Sequence, residues 1–193
     1  MNNKTTKVLR TLVVVGVVGG IAALGVFSAF TSQADNPGNL VSAGSVTLAD
    51  NDGGTALYNI TAAKPGQAST PTCIRVAYSG SLDADVKLYT PSTIGALGPD
   101  VTLKIESGTQ TTPSFPDCTG FSPETTLFNA ALSTFPTSFG TGVSDYPGTT
   151  ATKWVSGDAV VYRVTATLSS SVLDAQQGAS TGTHTLRWEA QNQ

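Results

Sequence analysis

Two cysteines, one histidine and 13 carboxylates are the side chains from which this 193-residue sequence could build catalytic or metal chemistry. The histidine stands in Thr183-His-Thr-Leu-Arg-Trp188 with the parity of Leu186 and Trp188. Alternation therefore places His184 near the end of a half-buried strand, where an imidazole serves packing, and no second histidine exists to complete a zinc set. HExxH, GxSxG and a glycine-rich loop followed by lysine are all missing. These gaps argue against a secreted hydrolase and lead to the expectation of no enzyme activity, no cofactor and no metal centre. Asp83 and Asp85 share one side of an expected strand and read as solvated. Asp50-Asn-Asp-Gly-Gly54 offers clustered oxygens to a hard cation, but it lacks the spacing and closing glutamate of an EF-hand loop. It reads as a tight turn, with weak calcium binding at Asp50–Asp52 left open. Asn59-Ile-Thr61 has the form of a glycosylation sequon.

Compartment decides how the cysteines are used. Lys4, Lys7 and Arg10 precede an apolar run from Leu12 to about Phe30 that closes on Ser28-Ala29. A basic start, an apolar middle and a small-residue exit describe a secretory signal peptide, with cleavage expected between Ala29 and Phe30. The competing reading is a retained anchor, since the run approaches bilayer length; four glycines weaken it as a permanent helix. Cys73 and Cys118 both lie beyond the cleavage point, and in an oxidising compartment such a pair is most simply one disulfide. Removing Lys4, Lys7 and Arg10 shifts the balance from 10 basic against 13 acidic residues to 7 against 13. A net charge of −6 in place of −3 argues against a nucleic-acid or anionic-membrane partner, which would need a basic patch. The mature form is thus expected to bind neither nucleic acid nor membrane.

Period-two alternation supplies the elements. Ile74, Val76 and Tyr78 share a face, as do Ala84, Val86 and Leu88; Val101, Leu103 and Ile105; Val160, Tyr162, Val164, Ala166 and Leu168; and Leu186, Trp188 and Ala190. Each pattern predicts a strand with one buried face. Val46–Leu48 and Tyr58–Ile60 add two shorter ones. Turn dipeptides between them, such as Pro65-Gly66 and Gly157-Asp158, indicate an all-β sandwich of Greek-key or jelly-roll type. The stretch Thr119–Ala151 breaks the pattern. Ser122-Pro123-Glu124 has the form of a helix start, and Leu127, Ala131 and Phe135 follow at helical spacing before Pro136. A short helical and irregular insertion is expected there.

The N-terminus left by cleavage, Phe30-Thr-Ser-Gln-Ala34, is uncharged and precedes Pro37-Gly38. Such a tail is either a loose terminus or a strand free to pair with another sheet edge. Phe27-Ser-Ala-Phe30 is similar to the exit of a SipW-type signal peptide. With Asn39-Leu-Val-Ser-Ala-Gly-Ser-Val-Thr-Leu48, Lys64-Pro-Gly66, Ile74-Arg-Val-Ala-Tyr-Ser-Gly-Ser-Leu82 and Leu186-Arg-Trp-Glu-Ala-Gln191, the sequence resembles the TasA/camelysin (CalY) family of secreted biofilm-matrix proteins. The resemblance implies a jelly-roll domain, processed by a dedicated signal peptidase, that polymerises into extracellular fibres. It also implies donation of the freed segment, here Phe30, Thr31, Ser32, Gln33 and Ala34, to the next subunit. The metallopeptidase activity attributed to some members finds no motif in this sequence. The cysteine pair and the Thr119–Ala151 stretch depart from the family pattern.

The expected organisation is therefore a signal peptide over 1–29, a donor segment and linker over 30–38, and a jelly-roll-like β-sandwich over 39–193. The expected function is that of a secreted fibre subunit whose partner is another copy of itself. The alternative is a monomeric surface module that recognises glycan or a host protein through the 119–151 loops, which carry Phe121, Phe128, Phe135, Phe139 and Tyr146, with Phe115 just ahead of them.

Overall fold

The computed structural model describes residues 40–148 and 151–192, together with Lys7, Arg10, Leu12 and Val13, which are helical. The chain separates into two units at Ser42/Ala43, and the strands all belong to the second. They are β1 (Leu48–Asp50), β2 (Thr72–Tyr78), β3 (Asp85–Tyr89), β4 (Val101–Gln110), β5 (Phe121–Ala131), β6 (Ala159–Leu168) and β7 (Arg187–Gln191). One antiparallel sheet has the order β1-β2-β6-β4-β5, and β3 pairs with β7 in a second. Isolated bridges Ala84–Trp154 and Leu88–Val143 extend the second sheet. Consecutive strands change sheets at β2–β3, β3–β4 and β6–β7, the wrapping of a jelly-roll-like sandwich.

The alternation read from the sequence places the core. Ile74, Val76 and Tyr78 of β2, Leu103 and Ile105 of β4, and Val160, Tyr162, Val164 and Ala166 of β6 are buried, facing Val86 and Leu88 of β3. β-Branched residues dominate because their stiff side chains pack well on a pleated surface. Trp154 is completely buried, and its indole Nε1 donates to the Asp145 carbonyl at 2.8 Å, tying the irregular 132–158 connection to the core.

Three expectations need correction. Phe121–Ala131 is not a helix but the eleven-residue strand β5, paired with β4 along its length. Register shifts at Ile105/Glu106 and Ser107/Gly108 put extra residues into β5. Leu127, Ala131 and Phe135 thereby acquire a spacing that imitates a helix, and Pro123 falls opposite Gly108, beside a shift rather than at a helix start. A Cβ on Gly108 would lie 2.0 Å from the Ser122 carbonyl oxygen, so this approach of the two backbones needs glycine. The irregular part of the insertion is 132–158, with 3-10 turns at Leu132–Thr134 and Phe139–Thr141. Tyr58–Ile60 forms no strand, and the first strand falls on Leu48–Asp50 instead of Val46–Leu48. At Tyr58–Ile60, turn chemistry overrides local β-propensity. Asp52 Oδ1 accepts from the Gly54 N–H at 2.6 Å, Gly53 and Gly54 take positive φ, and the chain leaves the ladder there.

Candidate functional site

Cys73 and Cys118 are joined, with Cα atoms 5.1 Å apart. The β4–β5 hairpin carries Cys118 at its tip. Because β6 lies between β4 and β2, the tip must fold back across β6 to reach Cys73. The Cys73 N–H also donates to the Pro116 carbonyl at 3.1 Å. Under this clip lies Glu106, 7% exposed, which binds Lys104 and Arg163 at 2.7 Å each. Phe121 stacks on the Arg163 guanidinium at 4.8 Å. Burial alone would raise the Glu106 pKa; the bonds from Lys104 and Arg163 overcome it and hold the carboxyl below its ordinary range.

The sheet edges carry the assembly question. In an antiparallel ladder, residues alternate between bonding one neighbour and pointing N–H and C=O the other way. Leu88 exchanges bonds of 2.8 and 3.0 Å with Val143, and Ala84 exchanges bonds of 3.0 and 2.8 Å with Trp154. Asp85, Lys87 and Tyr89 are therefore the residues whose backbones bond β7, through Gln191, Glu189 and Arg187. Trp188 and Ala190 must turn their backbone groups to the outer edge of β7. On β2, Tyr78 donates to Asp158 at 2.8 Å and accepts from Gly157 at 2.9 Å. Ala77 then bonds Ala49, while Leu48 and Asp50 direct their backbones to the outer edge of β1. None of these four outward residues makes a backbone bond on that side among the described residues.

The two open edges border a cavity of about 260 Å³ lined in part by Leu48, Asp50, Val76, Leu186 and Trp188. Burial, reinforced by the neighbouring Asp52, raises the Asp50 pKa. The Trp188 ring tilts against Tyr162 at 5.3 Å. The Tyr162 hydroxyl is near enough to interact with the indole, yet the buried Nε1–H makes no bond of hydrogen-bond geometry. Cα atoms of β1 and β7 come within 8 Å of each other. Two strands flanking a third stand about 9–10 Å apart, so an added strand joins one edge or spreads the pair. The third edge, β5, is longer but carries Pro123, Glu124 and the irregular register, devices that discourage pairing.

The remaining residues singled out in the sequence have internal roles. Asp85 is not a solvated carboxylate. It binds Lys153 at 2.7 Å and accepts from the Tyr146 hydroxyl at 3.1 Å, and the Lys153 bond lowers its pKa. Asp83 is exposed. His184 Nε2 meets the Tyr58 hydroxyl at 2.5 Å and its Nδ1 lies 3.0 Å from the Gly182 carbonyl, a structural tether. The predicted cleavage bond at Ala29–Phe30 and the donor segment Phe30, Thr31, Ser32, Gln33 and Ala34 lie outside the described residues. Among the described residues no group of three or more His, Cys, Asp or Glu could hold a metal, and no helix is long and apolar enough to cross a membrane. The outward residues Leu48, Asp50, Trp188 and Ala190 were not legible as an edge, because edge membership follows from strand order. No protein-family model matches the sequence, and no curated protein matches it.

Proposed function

We propose that the chain is a secreted structural subunit that polymerises into extracellular fibres, with Phe30–Ala34 of one copy added as a strand to an open sheet edge of the next. The observation that supports this reading is the pair of unprotected edges at Leu48/Asp50 and Trp188/Ala190, whose backbone groups have no partner among the described residues. Such edges are templates for strand addition. Repeated head-to-tail, the contact has no closing symmetry and yields filaments. The Cys73–Cys118 bond fits an oxidising compartment. The binding-module alternative loses its best feature. Phe121 stacks on Arg163, Phe135 is 2% exposed with Phe128 packed edge-on at 4.9 Å, and Tyr146 bonds Asp85. These aromatics are spent on internal contacts and form no outward platform.

Electron microscopy of protein beginning at Phe30, of an N-terminally extended form and of a form lacking Phe30–Ala34 tests the reading. Filaments are expected only from the first. Ala190→Pro removes an outward N–H without touching a β3 ladder bond, so it should shorten filaments if β7 is the acceptor. Undiminished filaments from the truncated chain refute strand donation.

A further inference from the structure

The geometry points to a binding site for neutral saccharide in the cavity of about 490 Å³ between the 55–61 segment and the end of β2, with Phe115 and Pro116 on its rim. This site is separate from the sheet edges and does not rest on the fibre reading. The cavity forms where the chain leaves the ladder: after the Asp50–Gly54 turn it runs on without pairing to β2, with Leu57 and Tyr58 packed against the core. No charged side chain lines it. Its polar groups are hydroxyls and amides, among them Asn59, Thr61, Thr70 and Thr72, and its aromatic rings are Tyr58 and Phe115.

Those groups match the ligand class. A neutral sugar offers hydroxyls that both donate and accept, and C–H faces that pack on aromatic rings, so uncharged bidirectional hydrogen-bonders beside an aromatic surface suit it. A phosphorylated or uronic ligand would want cations, which the lining lacks. Thr72 carries the argument furthest. It has the inward parity of Ile74 and Val76 and is 7% exposed, yet its hydroxyl bonds no protein group among the described residues and is not sealed from the cavity. With the rest of the side chain buried, this hydroxyl is fixed in position and open to the cavity, where it can both donate to and accept from a ligand. The Asn59 amide and the Thr61 and Thr70 hydroxyls likewise make no side-chain bond among the described residues. Tyr58 is held in place before any ligand arrives, through its hydroxyl on His184 Nε2 at 2.5 Å and its ring tilted at 5.6 Å from the imidazole. Burial raises the Tyr58 pKa, so the hydroxyl remains a neutral donor.

The test is titration of the isotope-labelled full chain with cellotetraose, maltotetraose and chitotetraose, read by nuclear magnetic resonance. At least one sugar should shift the Asn59, Thr61, Thr70 and Thr72 resonances saturably, with a dissociation constant of about 1 mM or below. Thr72→Val should weaken that binding about tenfold, and Asn59→Ala, at an exposed position outside the sheets, should weaken it without affecting the fold. Three results overturn the inference: no shift at these residues with any of the three sugars at millimolar concentration; shifts that persist unchanged in both variants; or shifts produced by a Phe30–Ala34 peptide while the sugars produce none, which would make the cavity a strand acceptor.

Discussion

Replacing both cysteines with alanine removes the clip between the β4–β5 hairpin tip and β2. The bridge closes a loop with a sequence separation of 45, and the loop-closure relation assigns it about 4 kcal/mol at 25 °C. Cys73 is 1% exposed, so the substitution also loses packing there, while the bond from the residue 73 N–H to the Pro116 carbonyl can persist. For a domain of this size, 1 kcal/mol moves the melting temperature by about 2–4 °C, giving a fall of about 8–16 °C. Thermal unfolding followed by circular dichroism, on the double variant and on wild type with and without reductant, measures it. The reduced wild type should fall by about this amount, and the double variant by at least as much because it also loses the buried sulfur of Cys73. A melting temperature unchanged within about 2 °C would show that the clip does not restrain the unfolded chain, and the entropic reasoning would fail.

Glu106→Gln should cost about 1–3 kcal/mol, because it leaves Arg163 and Lys104 beside a neutral amide in a half-buried setting; urea unfolding reports it. Since the folded Glu106 pKa is lowered, its contribution is full above its unfolded pKa of about 4.3 and disappears as pH falls through the folded value. Asp85 and Glu189 are lowered too, so stability should decline on acidification below about pH 4. The decline should be shallower in Glu106→Gln, and a wild-type stability flat to pH 2 would contradict this. Gly108→Ala forces a Cβ onto the Ser122 carbonyl and should destabilise by about 1–3 kcal/mol in the same assay. Trp154→Ala, at a fully buried site, should cost about 3–5 kcal/mol.

How much of this was readable in advance varied with how far each feature reaches along the chain. β2, β3, β4 and β6 each bury one face against the other sheet, so their alternation survives in the sequence and identifies Ile74, Val86, Leu103 and Val164 as core. β5 broke the rule because the irregular register changed the parity that a reader counts on. Its strand character is imposed by β4, and no local pattern records that partner. Tyr58-Asn-Ile60 failed in the opposite sense: locally it suits a strand, but the Asp50–Gly54 turn carries it off the β2 edge. The disulfide was legible because two cysteines in a chain expected to be exported leave one pairing. The ion triad of Lys104, Glu106 and Arg163 was not, since it joins β4 to β6 across 57 residues.

The arrangement of the edges bears on how such a subunit could grow. A five-stranded sheet facing a smaller one has four edges; bridges to Trp154 and Val143 cover β3 in part, and the other three are not equivalent. β5 presents the longest row of backbone groups, yet it is irregular, interrupted by Pro123 and carries Glu124, so a strand approaching it meets no regular ladder to extend. β1 and β7 have neither proline nor bulge in their pairing, and the backbones of Leu48, Asp50, Trp188 and Ala190 point outward in step with the strand period. Charge on β7 offers only partial protection, because Glu189 is held by the Tyr89 hydroxyl and by Gln191 at 2.6 Å. On the proposed fibre reading, a subunit irregular at β5 and regular along β1 and β7 has a preferred side for strand addition, which would give linear growth rather than lateral aggregation.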